Sequence, residues 1–290
     1  MPALRLAHLS DPHLALALPR GRELWGKRGL SALSWRLRRH RLHRPEVAEA
    51  LREDLLAARP DAVAVGGDLV NFSLEREFEG ARHWLERLGP PDRVLLVPGN
   101  HEALSPGWAE RMARHWGPYA PELPRRVRLG DAALILVSTA CVTPPFFAGG
   151  RLDRQERATA LIAEARAEGR VPVVLMHHPP TPLTRPRKAL QDLAEAADAL
   201  RGAALILHGH THRAELSRLE GPRGPVPVLG IPSFSMAAGG RDPAGAWRLL
   251  EIDGPSVTVT ERAITAAGDV TSRTPLFLRL PCQPAGDRPD

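Results

Sequence analysis

The sequence has little of what several protein classes require. It contains two cysteines, Cys141 and Cys282, in 290 residues, which are too few for a disulfide framework or a cysteine-based zinc site. No run approaches the roughly 20 uncharged apolar residues that span a bilayer, and residues 1–11 show no signal-peptide pattern. We therefore expect a cytoplasmic protein in which any metal ligands are His, Asp and Asn.

Positive charge is concentrated in one segment. Residues 20–44 contain nine Arg and Lys side chains and one acidic residue, Glu23, whereas the whole chain has a net charge of only +6. The remainder of the chain is therefore close to neutral, and basicity is a local property of this segment.

The same segment, residues 20–44, is predicted to be a basic helical insert beside the site, which handles anionic substrates or an anionic membrane surface. Leu30, Leu33 and Leu37 share one helical face, and the tryptophans Trp25 and Trp35 are candidates for anchors at an interface. Two interpretations remain open. The helix is either a substrate lid that packs its leucines on the domain, or an element that binds an anionic membrane, in which case the protein is peripheral at the inner face of that membrane.

Short apolar runs bounded by Gly, Pro or Asp alternate with longer segments of helical period, a pattern typical of an α/β fold. Predicted strands lie near 4–10, 61–67, 93–98, 126–129, 132–140, 171–177, 203–208, 226–231, 246–252 and 257–264. Predicted helices lie near 45–58, 74–88, 105–116, 153–168 and 188–201. We expect a single domain over residues 1–274 and an irregular, proline-rich tail over 275–290.

Five of the apolar runs end abruptly in polar residues. They read "LAHLSDPH" at 6–13, "AVAVGGD" at 62–68, "LLVPGNH" at 95–101, "VVLMHHP" at 173–179 and, after the apolar run 203–207, "HGHTH" at 208–212. Loops at strand ends are where sites form in α/β folds. Because residues i and i+2 of an extended strand point to one side, the spacing favours two half-sites, one from each paired end.

Metal-ligating side chains are what these ends have in common. The candidates are Asp11, His13, Asp68, Asn100, His177, His210 and His212. Seven donors are too many for one tetrahedral ion, and two ions roughly 3.5–4 Å apart need a bridging carboxylate. Asp68 suits that role because small residues, Gly66 and Gly67, precede it.

The other histidines are assigned lesser roles. His8 is predicted to be a packed core residue, and His178 and His208 are predicted to be structural or to contact ligands or substrate indirectly. Four more are expected to be solvated, namely His40, His43, His83 and His115.

The blocks "SDPH", "GGDLVN", "GNHE", "HHP" and "GHTH", spread over residues 10–212, resemble the five signature blocks of the calcineurin-like metallophosphoesterase superfamily. "HLSDPH" followed by "GDLVN" is most similar to the class III cyclic nucleotide phosphodiesterase branch. The resemblance implies a four-layer αββα sandwich with two mixed β-sheets and a dinuclear metal site at the strand ends.

The resemblance also implies a role for each site residue. One metal is held by Asp11, His13 and His212, and the other by Asn100, His177 and His210, with Asp68 between them. His101 is the implied catalytic residue, which stabilises the phosphoryl oxygens or protonates the leaving alkoxide. Asn71 stands where many members have an Asp that orients this histidine.

These features predict a phosphodiesterase that hydrolyses small diesters such as 3′,5′-cyclic nucleotides. A water molecule activated by two divalent or mixed-valence ions would attack phosphorus, and the donors do not distinguish Mn, Fe and Zn. One alternative is a phospholipid or lipid-linked pyrophosphate hydrolase at a membrane surface. A nuclease lacks a recognition module here, and the intact ligand set argues against a catalytically silent protein-binding scaffold.

Overall fold

The computed structural model describes residues 3–281. Its strands are β1 (Leu4–Leu9), β2 (Ala62–Val65), β3 (Val94–Leu96), β4 (Arg125–Leu129), β5 (Ala132–Leu136), β6 (Val171–Leu175), β7 (Leu205–His208), β8 (Glu215–Leu219), β9 (Val226–Gly230), β10 (Ala246–Asp253), β11 (Ser256–Ile264), β12 (Val270–Ser272) and β13 (Leu276–Arg279). Its helices are α1 (Lys27–Ser34), α2 (His40–Leu42), α3 (Pro45–Ala57), α4 (Glu75–Leu88), α5 (Trp108–Trp116), α6 (Gln155–Ala167) and α7 (Leu193–Leu200).

The strands form two mixed sheets. The first has the order β12-β11-β10-β1-β2-β3, with β13 also paired to β11, and the second has the order β4-β5-β6-β7-β9-β8. In the first sheet β1 runs parallel to β2 and antiparallel to β10. In the second, β5, β6, β7 and β9 are parallel and the two edge strands are antiparallel.

Three layers of apolar side chains separate four layers of backbone. Side chains of β1 alternate between two of these layers. Leu6 points between the two sheets, where it shares a cluster with Leu134 and Leu250, and Ala7 and Leu9 point to the opposite face. That outer face packs on α3, α4 and α5, and the outer face of the second sheet packs on α6 and α7. The structure confirms the predicted αββα sandwich.

Three strands were not predicted, and one prediction for the tail is wrong. Residues 276–279, assigned to an irregular tail, form strand β13, which pairs with β11. β8 and β12 are also missing from the prediction, because short, half-exposed edge strands carry little hydrophobic alternation. The rest of the predicted tail, residues 282–290, lies outside the described residues.

The basic segment folds as a broken helix against the first sheet's loops. A 3₁₀ turn (Gly21–Leu24) leads into α1, and a π-helical turn (Trp35–Arg39) connects α1 to α2. The π-helical turn lies beside the cluster of predicted metal ligands. Such turns are frequent at functional sites.

Candidate metal centre and active site

All seven predicted metal ligands follow strands whose ends lie together. Asp11 and His13 follow β1, Asp68 follows β2, and Asn100 follows β3 in the first sheet. The other three ligands follow β6 and β7 of the second sheet, and they are His177, His210 and His212. Because the parallel strands of each sheet finish at one edge, the chain brings these side chains into one cluster.

The backbone at most of these positions is left-handed rather than extended. The side chains two residues apart do converge, as predicted, but the reason given for it, an extended strand, is wrong. Five predicted ligands have positive φ: Asp11 (54°), His13 (42°), Asp68 (57°), His210 (64°) and His212 (56°). Only four other non-glycine residues in the described part of the chain have positive φ. This conformation is costly for side chains other than Gly, Asn and Asp, and such strain concentrates at functional sites.

Two glycines allow the loops to meet. A Cβ atom on Gly99 would collide with the Asp68 carboxylate and with the ring of His177, and one on Gly209 would collide with Ser10 and the Asp11 carboxylate. Close approach of neighbouring loops therefore explains these glycines of "GNH" and "GHTH".

One group of donors is formed by Asp11, His13 and His212. His212 Nε2 lies 3.1 Å from Asp11 Oδ1 and 3.3 Å from His13 Nε2. His13 Nε2 lies 3.9 Å from Asp68 Oδ2. These separations suit donors that share one ion, since nitrogen and oxygen ligands bound at about 2.0–2.2 Å lie some 3 Å from each other.

A second group of donors lies on the other side of Asp68. His177 Nε2 is 3.2 Å from Asn100 Oδ1 and 3.4 Å from Asp68 Oδ2, and His210 Nδ1 is 2.9 Å from Asn100 Oδ1. Asp68 Oδ2 is thus the atom at which the two groups meet, as a bridging ligand requires.

Hydrogen bonds from outside the cluster fix which atom of each residue faces inward. The Ser10 hydroxyl donates to Asp11 Oδ2 (2.6 Å), and the His101 amide donates to Asp68 Oδ1 (2.7 Å). His177 Nδ1 and His210 Nε2 donate to the carbonyls of Gly66 (2.7 Å) and Lys188 (2.9 Å). The atoms that remain free are one oxygen of each carboxylate and one nitrogen of each ring, and they point at one another. Hydrogen bonds of this kind orient the ligands in metal sites.

Electrostatics in the cluster favours a cation. Burial lowers the pKa of His177, but the carboxylates of Asp68 and Asp11 outweigh it and raise this pKa to about 10. Burial raises the pKa of Asp11, and the imidazoles of His212 and His177 reverse this and lower it below its usual range. Carboxylates that stabilise the proton on His177 would also stabilise a divalent cation in its place. The donor atoms and the negative charge of the two carboxylates therefore fit metal ions.

His101 borders the first donor group, because one of its ring nitrogens lies within 4.8 Å of ligand atoms of both His13 and Asp68. Its Nδ1 donates to the carbonyl of Asn71 (2.8 Å), and its Nε2, on the side of the cavity, is 3.1 Å from Arg39 Nη1. The Asn71 side chain instead donates to the carbonyl of Leu14. The orienting contact that many relatives are expected to make with an Asp side chain is therefore made here by the backbone of residue 71.

Glu102, the last residue of "GNHE", holds the loops of the cluster together. Its buried carboxylate accepts hydrogen bonds from the amides of Asp68, Leu69 and Gly99 at 2.7–2.9 Å. Burial and then the charge of Asp68 raise the pKa of Glu102 to about 7. Sequence reasoning assigned it no role, although its place in the motif was a usable signal.

The remaining predicted site residues are peripheral. Both ring nitrogens of His178 are engaged, with Thr139 Oγ1 (2.8 Å) and the Ala148 carbonyl (3.1 Å). His208 is buried and its Nδ1 contacts the carbonyl of Gly209. His8 is fully buried in β1, as expected of a core residue.

The prediction that His43 is solvated is wrong. Its ring is buried, 4.5 Å from the ring of His13 between centroids, and its Nδ1 is 3.0 Å from Ser235 Oγ. Sequence reasoning misplaced it because its neighbours along the chain are charged. Of the other three histidines in that group, His83 and His40 are exposed and His115 is partly buried against Glu75.

A cavity of about 480 Å³ opens over the cluster. Predicted ligands line its floor, His101 lies at one side, and the insert contributes Arg38, Arg39 and His43. Buried His, Asp and Asn donors under such a cavity, at the ends of two mixed sheets, have the composition of a metal-dependent enzyme site in an α/β fold.

Comparison with known proteins identifies the family. Residues 4–214 match the family model described as calcineurin-like phosphoesterase, so the chain belongs to this family. The chain is a metal-dependent phosphoric ester hydrolase, and the family implies a dinuclear divalent metal site. The recognised resemblance is thereby confirmed.

Relatives and solved structures agree with this assignment. A probable cyclic nucleotide phosphodiesterase of Synechococcus is 25% identical over 215 residues, covering 71% of this chain and 77% of that protein. A glycerophosphodiester phosphodiesterase of Enterobacter lignolyticus is 34% identical over 134 residues, 44% of this chain and 45% of that protein. The fold matches a dimetal phosphatase from Danio rerio with a TM-score of 0.62 at 11% identity, over 96% of this chain and 99% of the other.

Proposed function

We propose that this chain is a phosphodiesterase that acts on small diesters such as 3′,5′-cyclic nucleotides. The observation that supports it most is the meeting of two donor groups at Asp68 Oδ2 under an open cavity. Two relatives carry the name of probable cyclic nucleotide phosphodiesterase, and a third is named for glycerophosphodiesters. Small diesters are the substrate class that these names share.

In this proposal one ion is held by Asp11, His13 and His212, the other by Asn100, His177 and His210, and Asp68 contacts both. When bound, such a pair supplies positive charge to the phosphoryl group and activates water for attack on phosphorus. The donors accept Mn, Fe or Zn.

The protein's own part in the reaction falls to His101. Its ring is held by the Asn71 carbonyl, so Nε2 lies on the side of the donors, where Arg39 Nη1 is 3.1 Å away. A proton on that atom would be transferred to the leaving oxygen, which is general-acid catalysis. Burial and the Arg39 guanidinium lower the pKa of His101 to about 4 in the free site, and an anionic phosphoryl group beside it would raise that pKa again.

Turnover of a substrate panel by the purified, metal-loaded protein tests the proposal. The panel is 3′,5′-cyclic AMP, glycerophosphocholine, bis(p-nitrophenyl) phosphate and p-nitrophenyl phosphate. We expect kcat/KM for the diesters to exceed that for the monoester by at least about tenfold, which is 1.4 kcal/mol of transition-state discrimination. A preference for the monoester would contradict a diesterase assignment while leaving the phosphoesterase class intact.

A second candidate, hydrolysis of amphiphilic phosphoesters at a membrane surface, is favoured by the orientation of the insert. Two of its three predicted leucines do not pack on the domain, because Leu33 and Leu37 are 55% and 68% exposed, against 39% for Leu30, and Trp25 is 82% exposed. The inward face carries other residues, among them Arg28, which donates to the carbonyls of Phe72 and Ser73. The lid arrangement with packed leucines is therefore not found.

A second segment with exposed apolar side chains contacts the insert. Lys27 Nζ of the insert is 2.6 Å from Thr143 Oγ1, and the loop continues to Phe146, which is 73% exposed. Ala148 of the same loop lines the cavity. Exposed aromatic and leucine side chains within a strongly basic segment match an anionic bilayer, in which rings insert and arginines contact headgroups.

Vesicle sedimentation tests this candidate. The wild type should sediment with phosphatidylglycerol vesicles at low salt and be released at high salt, because the attraction of the arginines is screened. Replacing Trp25, Leu33 and Leu37 by Ser should abolish binding and leave hydrolysis of bis(p-nitrophenyl) phosphate unchanged. Phe277→Ser is the control, since Phe277 is 74% exposed on β13. A wild type that ignores these vesicles at low salt removes the candidate.

Across residues 3–281, no helix combines the length and the hydropathy needed to cross a membrane.

A further inference from the structure

Arg39 of the insert reaches the centre of the site. Its Nη1 is 3.1 Å from His101 Nε2, and its Nη2 is 3.1 Å from both ring nitrogens of His13. The guanidinium therefore lies between the proposed catalytic histidine and a proposed metal ligand. No acidic side chain among residues 3–281 forms an ion pair with it at 4.0 Å or less.

The position of Arg39 is built into the fold. Trp35 is buried one turn earlier, its ring is stacked at 8° on the ring of His43, and the Arg39 guanidinium lies 5.9 Å from the Trp35 ring centre. On the other side of Arg39, the carbonyl of Leu42 accepts a hydrogen bond from Ala237 (2.7 Å). The amide of Arg44 donates to the carbonyl of Ser235 (2.8 Å), so this stretch is tied to the loop that follows β9.

A guanidinium at this point needs an anion. The adjoining donors fit metal cations, so a bound ion and Arg39 would repel each other unless a negative group lay between them. Arginine presents planar pairs of N–H donors that match the oxygens of a phosphoryl group and bind them more strongly than neutral donors do. The acids whose charges act on Arg39 are Asp68 and Asp11. In the proposed function both of these carboxylates bind the metals.

We infer that Arg39 binds a non-bridging phosphoryl oxygen of the substrate and of the phosphate product. This inference rests on the proposed metal set, and it adds a binding residue that the motifs do not contain. Because non-bridging oxygens are common to all phosphoesters, Arg39 serves substrates with any leaving group. It also means that the insert completes the active site, whatever its outer face binds.

The test compares Arg39→Gln and Arg39→Lys with Arg36→Gln, which removes an exposed arginine of the same helical stretch. Inorganic phosphate is the probe, and its dissociation constant from metal-loaded protein is measured by calorimetry. We expect phosphate affinity to fall about ten- to one-hundredfold in Arg39→Gln, partial recovery in Arg39→Lys, and no change in Arg36→Gln. Metal content and melting temperature should match the wild type in all three.

Two results would overturn the inference. Unchanged phosphate affinity in Arg39→Gln would show that the guanidinium does not touch the anion, and loss of metal would show that it positions His13 instead. Phosphate binding does not depend on which ester is turned over. A wild type that binds phosphate through Arg39 but cleaves no diester would therefore contradict the proposed function and leave this inference standing.

Discussion

Asp68→Asn should lose metal from both positions and reduce turnover to the background rate. Asp68 Oδ2 is 3.4 Å from His177 Nε2 and 3.9 Å from His13 Nε2, so one oxygen serves both donor groups. An amide carries no negative charge, and without it the two cations repel each other at short range. Elemental analysis after dialysis should find well under one metal per chain.

Asn is the better substitution because Asp68 has φ of 57°, a conformation that Asn adopts more readily than Ala. Asp253→Asn, an exposed carboxylate at the end of β10, is the matched control and should retain metal and activity. Chelation should inactivate the wild type reversibly. Two bound metals with normal turnover in the Asp68 variant would rule out a bridging role.

His101→Ala should keep its metal and lose about 10²–10⁴ in kcat, the usual contribution of a general acid. The amide of residue 101 donates to Asp68 Oδ1 through the backbone, so removal of the imidazole leaves the carboxylate held in place. The side chain itself contacts the Asn71 carbonyl and Arg39.

Leaving-group dependence separates the two roles open to His101. An alkoxide needs a proton and p-nitrophenolate does not, so glycerophosphocholine hydrolysis should suffer more than bis(p-nitrophenyl) phosphate hydrolysis. His83→Ala, at an exposed histidine on α4, controls for the loss of an imidazole. Equal losses for both substrates would assign His101 to phosphoryl binding, and loss of metal would make it a ligand.

The candidate residues at the strand ends could be predicted because each of them is marked by the residues next to it in the sequence. Each apolar run is followed within four residues by Asp, Asn or His, and all five ends carry donors that one metal chemistry explains. Strands β1 and β2 are found close to their predicted positions for the same reason. Their side chains are buried on both faces, so the apolar signal is strong.

The sequence predicts that the insert lies beside the site, but not which of its residues face the site. Arg39 and His43 lie in a run of cations that resembles a solvated helix face. Their inward orientation depends on contacts with Ser235 and Ala237, about 190 residues further along the chain. A helical period specifies which residues share a face. Here tertiary contacts leave Leu33 and Leu37 exposed and bury Ala32 and Trp35 instead.

Strand β10 has a consequence for how this protein is made. It lies directly beside β1, with Leu6 opposite Leu250, so β1 acquires one of its two neighbours only after the long intervening stretch and β10 itself have been synthesised. Until then the β1 edge is unpaired and open to pairing with other chains. Such distant pairings slow folding, and residues beyond 214, where the family match stops, are needed to close this sheet. A fragment ending there should aggregate during synthesis.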